Sequence, residues 1–314
     1  MGSYIINRIG QTIIVMIIVT FFSFTLLRII PGDPVYAILG NDITTEQYNI
    51  AYKDLGLDKP FIEQYGSWLW KIAHGDLGNS YYYHKPIKDI IGKRIEVTLY
   101  LGIISLVIST LLGMLLGVFS AVKRGKLADS IISVLANIGT AVPIFWLGIL
   151  GIYVFALKLG LLPSYGFSFP SEGVGLSIRQ TILPVICLSV GSLATMCRQT
   201  RSSMLEVIHQ DYIRTARSKG LKMSKVVKNH ALRNALIPVI TMLGLSARNL
   251  IGGAATVETV FSITGMGQFL VQSIFGRDMV ATQATVLITA LFVCIVNLIV
   301  DLAYGFIDPR IRVE

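Results

Sequence analysis

The sequence predicts an all-α, polytopic membrane protein, and two observations carry this prediction. Of the 314 residues, 53% are hydrophobic and only 14% are charged, which is more apolar surface than a soluble protein buries. Six windows are also apolar and long enough to cross a hydrocarbon core of about 30 Å as helices. These windows are 9–30, 97–122, 131–157, 181–205, 236–256 and 281–306. No linker divides the chain, so a single membrane domain, 1–314, is predicted.

The first window is predicted to be a retained membrane helix rather than a signal peptide. A secretory apolar region spans about 7 to 15 residues and ends in small residues. Here the apolar run continues to Ile30 and then meets Pro31.

The positive residues predict which side of the membrane each connection occupies. The net charge is +9, and the cations concentrate in the connection 123–126 and in the connection 206–235, which holds seven. Cytoplasmic connections carry such an excess. Arg8, Arg310 and Arg312 place both termini on the same side. The charge therefore indicates topology, and no nucleic acid is expected as a partner.

The polar segment 31–96 is predicted to be an extracellular helical insertion. Three helix starts stand out, at Thr44, Pro60 and Pro86. Thr44 has Gln47 three residues on, which predicts a capping box, and Gly56 predicts the end of that first helix. We expect a small helical cap on the outer surface.

The connection 206–235 is the most informative part of the sequence. It is too polar to span a membrane, yet Ile213, Ala216 and Leu221 are spaced to form a thin apolar edge on a short helix. Gly220 could turn the chain after it. This pattern is typical of a docking element, although charge alone favours a solvated basic loop.

A resemblance to a known family rests on this connection. The run 211–221, followed by 230–238, resembles the EAA loop of ABC importer permeases, and most closely the B-type permease of dipeptide, oligopeptide and nickel importers. Arg214 and Thr215 replace the Glu and first Ala of the general motif, as is usual in this branch. Further matching segments are 31–34, 55–60, 74–78, 143–146, 200–206, 258–262 and 308–310.

The resemblance implies a type I ABC importer permease fold, with six transmembrane helices, an extracellular cap and a cytoplasmic coupling helix. It implies four kinds of partner: a C-type permease in a heterodimer, two ABC ATPase subunits, an extracellular substrate-binding protein and the lipid bilayer. Alternating access in the bacterial cytoplasmic membrane is the implied mechanism. The implied ATPase-coupling residues are Asp211, Tyr212, Arg214, Thr215, Ala216, Arg217, Lys219 and Gly220.

The chain is not predicted to be an enzyme. No G-x-x-x-x-G-K-[ST] sequence occurs, so ATP and Mg are expected on the partner ATPases, and no cofactor is expected on this chain. No nucleophile and base, or HExxH-like set, lies within the windows, and no catalytic residue is proposed. An ATP-independent channel or transporter remains a distant alternative.

Polar residues inside or beside the windows are candidates for the translocation pathway. Arg248 and Asn249 lie near the middle of the fifth window, where a charge must face protein or water. Arg248 could receive a substrate carboxylate or could pair with Asn297 or Asp301 of the last window. Glu258 could brace an outer gate or cap the helix that follows it.

The substrate is left open between short peptides, the first choice, and nickel or a metal chelate, the alternative. No histidine lies within a window to serve as a metal ligand. Met196 and Cys197 could be soft ligands, but core packing is the simpler interpretation. The remaining cysteines, Cys187 and Cys294, are also expected to be small apolar residues, and no metal site is predicted.

Overall fold

The computed structural model describes residues 2–29, 33–40, 42–221, 223–227, 231–235 and 237–307. Within these ranges, some side chains lie outside the description: 2–5, 27, 34, 37–38, 217, 223–224, 233–234, 237–238, 240–241, 248–251 and 301–307. The predicted cytoplasmic residues Arg310 and Arg312 lie outside the described residues.

Helices account for nearly all the regular structure in the described ranges, which confirms the all-α prediction. They are α1 (Gly2–Ile29), α2 (Pro34–Leu39), α3 (Thr45–Asp54), α4 (Phe61–Ala73), α5 (Ile87–Val122), α6 (Leu127–Ala141), α7 (Ile144–Gly151), α8 (Val174–Ile208), α9 (Asp211–Ser218), α10 (Met223–Val226), α11 (Leu232–Ala235), α12 (Ile237–Val260), α13 (Met266–Phe275) and α14 (Met279–Ile307). A π-helix, Ile152–Lys158, continues from α7, and a 3-10 turn, Pro170–Glu172, precedes α8. Among these residues the strands are β1 (Asn79–Ser80) and β2 (Lys85–Pro86), an antiparallel pair.

Four helices in the described residues are long and apolar enough to cross a membrane. Their spans are Ile6–Leu26, Ile87–Val122, Val174–Ile208 and Met279–Val300. The bent pair of α6 and α7 qualifies as a fifth if it is counted as one span. Helix α12 covers most of the remaining predicted window, 236–256. The count of six stays a prediction.

The third predicted window, 131–157, is not one straight span. Its two helices, α6 and α7, meet at an angle of 103°. Pro143 lacks an amide N–H, and its ring disfavours helical geometry in the residue before it. Val142 accordingly has an extended conformation, with φ −75° and ψ 125°. The apolar pattern was correct about length, and the proline determines the break.

Contacts divide the chain into two compact units. The first comprises Met1–Val97 and Thr264–Leu298, and the second comprises Thr98–Ile263 and Ile299–Glu314.

The polar segment of the first unit folds largely as the sequence predicts. Thr44 and Gln47 form a reciprocal capping box at α3, and Gly56 follows that helix with φ +65°. Pro60 lies at the N-cap of α4, one position earlier than predicted. The predicted helix after Pro86 is not a separate cap helix, because it continues as α5 into the apolar span.

Aromatic packing fixes α4 against the second half of α1. Phe24 is 2% exposed, and its ring centroid lies 5.5 Å from those of Tyr65 and Trp68. Thr20 shares a 2.9 Å hydrogen bond with the Tyr65 hydroxyl. The polar segment is therefore packed on this membrane helix rather than tethered loosely to it.

A buried carboxylate, Asp278, connects the β-ribbon to the start of α14. It accepts hydrogen bonds from the Ser80 hydroxyl at 2.6 Å and from the Tyr82 amide at 3.1 Å. The Ala281 amide also donates to it, at 3.0 Å, which satisfies one of the free N–H groups at the α14 N-terminus.

A close contact between α5 and α8 lies at the core of the second unit. A Cβ built on Gly113 would lie 2.7 Å from the Met196 Cβ, and one on Gly117 would lie 2.6 Å from the Cys197 carbonyl oxygen. Glycine at these positions lets the two backbones approach. Met196 and Cys197 are 1% and 2% exposed, so they are core residues.

Candidate functional site

The predicted docking element is a short helix, α9. Gly220 follows it with φ +81°, a left-handed conformation that favours glycine. The helix and the turn that ends it both agree with the sequence pattern.

The apolar edge of α9 faces the protein. Ile213 and Ala216 are 0% and 9% exposed. They belong to a buried cluster with residues of α5, α8, α10 and α11, and Leu221 packs against it. The other buried members are Ala121, Met204, Val226, Ala231 and Ala235. Helix α9 is thus attached to the ends of α5 and α8.

The opposite face of α9 is polar and exposed. Asp211, Arg214 and Thr215 lie on it, and Lys219 is exposed just beyond the end of the helix. Tyr212 is 42% exposed. The Arg217 side chain lies outside the described residues. A partner that contacts α9 therefore meets hydroxyl groups, a carboxylate and cations.

A partly buried ion pair ties α8 to the first turn of α6. Asp129, 5% exposed, accepts hydrogen bonds from Arg201 Nε at 2.7 Å and Nη2 at 2.9 Å. The Ser120 hydroxyl and the Gly125 amide donate to the same carboxylate, at 2.5 and 3.1 Å. Four donors on one carboxylate compensate for its desolvation. The ends of α5, α6 and α8 are linked at the level where α9 is attached.

A cavity of about 400 Å³ lies within the second unit, beside the bend between α6 and α7. Helices α6, α7, α8 and α12 line it. Its volume is in the range of roughly 300 to 1,000 Å³ that is typical of small-molecule sites. Its polar lining includes Thr140, Ser192, Thr195, Arg198 and Ser246.

Arg198 is the one cation among the described residues that line this cavity. Its side chain is exposed to the cavity, and no described residue forms an ion pair with it. Sequence reasoning missed it, although the signal was present, because a charge inside the window 181–205 must face protein or water. A guanidinium with free donors can bind a carboxylate through two parallel hydrogen bonds.

Glu258 lies inside α12 rather than beyond its end. It is 1% exposed and accepts a 2.6 Å hydrogen bond from the Thr98 hydroxyl. Gly265 is the N-cap of α13. That Glu258 caps this helix or braces an outer gate stays a prediction.

The other predicted pathway residues are only partly described. The side chains of Arg248, Asn249 and Asp301 lie outside the described residues. Asn297 is in α14, and its Oδ1 is buried without a hydrogen-bond partner among the described residues. The predicted pairing of Arg248 with Asn297 or Asp301 stays a prediction. Among the described side chains, no group of three or more His, Cys, Asp and Glu residues could hold a metal ion.

Comparison with known families decides the identity of the chain. Residues 113–313 match the family described as "Binding-protein-dependent transport system inner membrane component". Residues 1–102 match the N-terminal family of the same membrane component. The chain belongs to this family of permeases.

Relatives similar to this permease extend over its whole length. The "Dipeptide transport system permease protein DppB" of Escherichia coli strain K12 is 39% identical, over 99% of each chain. The "Probable peptide ABC transporter permease protein y4tP" of Sinorhizobium fredii is also 39% identical, over 99% of this chain and 100% of its own. The permease is thus a multi-pass inner-membrane subunit of an ABC transporter, and it is not itself a catalyst.

A solved structure shows the fold of the permease. The chain is similar, with a TM-score of 0.56 and 18% identity, to a chain of the structure titled "Inward facing conformations of the MetNI methionine ABC transporter: CY5 native crystal form". The match covers 70% of this chain and 96% of that one. The permease has the fold of type I ABC importer permeases, as its sequence resemblance implied.

Proposed function

We propose that this permease carries short peptides into the cell, powered by separate ATPase subunits. The observation that carries the proposal is the full-length, 39% identity to permeases named for dipeptide and peptide transport. Nickel or a metal chelate is the competing substrate in the test below.

We infer that the loops divide between the two sides of the membrane as the charge pattern predicts. The cation-rich segment 206–235 and both termini are cytoplasmic, and the segment 31–96 is extracellular. Helix α9 then faces the ATPases.

The proposed complex contains two different permeases. This chain forms a heterodimer with a C-type permease, two ATPases bind on the cytoplasmic side, and an extracellular binding protein delivers the substrate. The ATPases supply ATP and Mg, because this sequence has no P-loop. The path across the membrane lies in the permease pair.

The cavity beside the α6–α7 bend is the proposed part of the peptide path in this chain. Arg198 would bind the C-terminal carboxylate of a peptide. The hydroxyl oxygens of Thr140, Ser192 and Thr195 can accept hydrogen bonds from peptide N–H groups. Such a lining recognises what all short peptides share and leaves the side-chain preference to the binding protein.

The exposed face of α9 is the proposed contact with the ATPase, and its buried face transmits the motion. Ile213 is packed in the cluster that includes Met204 of α8. The ion pair of Asp129 and Arg201 joins that end of α8 to the first turn of α6. A displacement of α9 would therefore move these helix ends together, and with them the cavity walls.

The substrate is tested with the purified complex in liposomes, with its binding protein supplied on the side to which substrate is added. Uptake of a labelled dipeptide that requires ATP, without uptake of a nickel chelate, is the expected result. Uptake of the chelate alone would contradict peptide transport while leaving the permease assignment intact.

Coupling is tested by a charge reversal on the exposed face of α9. We expect Arg214→Glu to assemble normally but to lower substrate-stimulated ATPase activity and uptake at least tenfold, about 1.4 kcal/mol of lost coupling. Lys225→Glu is the matched control, because Lys225 is exposed in the same segment but outside α9. A substitution at Ala216 is avoided, since a charge there would disrupt the buried cluster. Equal losses in both variants would contradict docking through α9.

Carboxylate recognition is tested with a dipeptide whose C-terminus is amidated. In the intact complex, Arg198→Gln is expected to reduce uptake of the free acid about tenfold and to leave uptake of the amide little changed. Arg179→Gln is the control, because Arg179 is a cation of the same helix outside the cavity. An equal loss for both peptides would show that Arg198 acts structurally.

A further inference from the structure

A second cavity, of about 390 Å³, lies within the first unit at the ends of two membrane spans. The apolar span of α1 ends at Leu26, and that of α14 begins at Met279. Arg28 and Arg277, just beyond these points, both line the cavity. The cavity therefore lies at the level of the membrane interface, where lipid headgroups are found.

The lining of this cavity is strongly basic. Among the described residues that line it are five cationic side chains, Arg28, Lys53, Lys59, Lys71 and Arg277, and two carboxylates, Asp54 and Asp76.

Interactions within the protein neutralise only part of that positive charge. Lys59 pairs with Glu63 at 2.9 Å, and one oxygen of Asp76 accepts the Gly78 amide. Arg28 donates a hydrogen bond to the neutral amide of Gln64. Among the described residues, Lys53, Lys71 and Arg277 have no ion-pair partner, so the cavity attracts anions.

A buried polar side chain also faces this cavity without a protein partner. Gln283 of α14 is only 7% exposed and lines the cavity, and no described residue hydrogen-bonds to its side chain. A buried amide without a partner costs roughly 1 to 3 kcal/mol unless a ligand or water satisfies it. Tyr81 adds a second donor, and burial raises the pKa of its hydroxyl, which keeps it neutral.

We propose that this cavity binds the phosphate of an anionic phospholipid headgroup. Arginine, lysine and amide donors around one volume match the acceptor oxygens of a phosphate. On the cytoplasmic side of other membrane proteins, basic pockets between transmembrane helices bind phospholipid headgroups through contacts of the same kind. Trp68 and Phe24, which also line the cavity, suit the boundary between headgroup and acyl chain. A short peptide fits less well, because its two termini cancel while the lining has a clear excess of cations.

The test measures thermal stability of the purified complex in micelles that contain phosphatidylglycerol, phosphatidylcholine or neither. Phosphatidylglycerol is expected to raise Tm saturably, and phosphatidylcholine to do so little. In a variant carrying Lys53→Gln, Lys71→Gln and Arg277→Gln, the half-saturating concentration is expected to rise more than about tenfold. Gln283→Leu, which keeps the charge, is expected to raise it about threefold or more.

The matched control removes three exposed lysines of the same unit that do not line the cavity, through Lys85→Gln, Lys88→Gln and Lys93→Gln. Unchanged lipid dependence in this control supports the cavity as the site. An equal shift in both triple variants would show general surface attraction and would overturn the proposal. Inorganic phosphate tests whether the phosphate that binds belongs to a lipid. If inorganic phosphate raises Tm and phosphatidylglycerol does not, the cavity is still a phosphate site, but its ligand is soluble. A rise in Tm with a dipeptide, but with neither the lipid nor phosphate, would overturn the proposal.

Discussion

Helices α1 and α8 are both long and apolar, yet they occupy different environments. In the most apolar stretch of α8, 56% of the residues are buried within the protein, whereas in that of α1 only 11% are. Both helices nevertheless pass as membrane spans by length and composition.

Side-chain size and polarity explain the difference. Helix α8 buries small and polar residues, among them Ser189, Thr200 and Ser203. Helix α1 instead exposes large aliphatic and aromatic residues such as Ile14 and Phe22. Within lipid, helices associate through close packing and hydrogen bonds rather than through hydrophobicity, so small and polar residues mark the packed helix.

Removing one cation from each helix is expected to give the largest difference between α8 and α1 in the free energy of unfolding. Arg201→Gln in α8 leaves the Asp129 carboxylate buried without its charged partner, and we expect a loss of about 3 to 5 kcal/mol in the free energy of unfolding. Arg28→Gln in α1 removes a hydrogen bond to a neutral amide and should cost about 1 kcal/mol. Denaturant titration of the purified chain in mixed micelles measures both values.

The two arginine variants carry the same change of charge, so they control for each other. Similar losses in both would contradict the view that α8 belongs to a packed polar core. A double variant, Asp129→Asn with Arg201→Gln, should recover part of the stability, since no charge is left buried alone.

Replacing a glycine at the α8 contact and one in α1 is expected to change the free energy of unfolding by smaller amounts, and in opposite directions. In Gly117→Ala the new methyl group would meet the Cys197 carbonyl and Thr200, and we expect a loss of about 1 to 3 kcal/mol. Nothing lies within 4 Å of a Cβ built on Gly10 in α1, so Gly10→Ala should stabilise the helix by up to about 1 kcal/mol. The same titration measures both variants, and a loss at both positions would contradict the packing difference.

The sequence was sufficient to predict the membrane class, the capping box of α3 and the helix at 211–218. These features depend on local composition, on a cap within four residues and on a short amphipathic pattern. The bend between α6 and α7 was missed although Pro143 was visible, because the apolar run continues across it. An apolar segment that bends at a proline and one that forms a single straight helix have the same hydropathy.

The candidate site was less predictable, since it depends on which residues meet in three dimensions. The apolar spacing of Ile213 and Ala216 was recognised, but the sequence could not tell whether a partner or the chain itself covers that edge. Sequence reasoning did not single out the cavity cation Arg198. The pairing of Asp129 with Arg201 joins residues far apart in the chain, which no local pattern reveals.

Removing a single hydroxyl group from each helix is expected to give the smallest difference between α8 and α1 in the free energy of unfolding. Ser189 in α8 donates a 3.2 Å hydrogen bond to the Ser105 carbonyl of α5, whereas Thr25 in α1 bonds within its own helix, to the Phe21 carbonyl at 2.8 Å. Hydrogen bonds between membrane helices contribute about 0.6 kcal/mol on average, so Ser189→Ala should cost about that amount. Thr25→Ala should be close to neutral, since the helix propensity of alanine offsets the lost bond. Repeated denaturant titrations must resolve a difference of roughly half a kcal/mol in the free energy of unfolding. An equal loss of stability in the Thr25 and Ser189 variants would contradict a role for hydroxyl groups in joining α8 to the bundle.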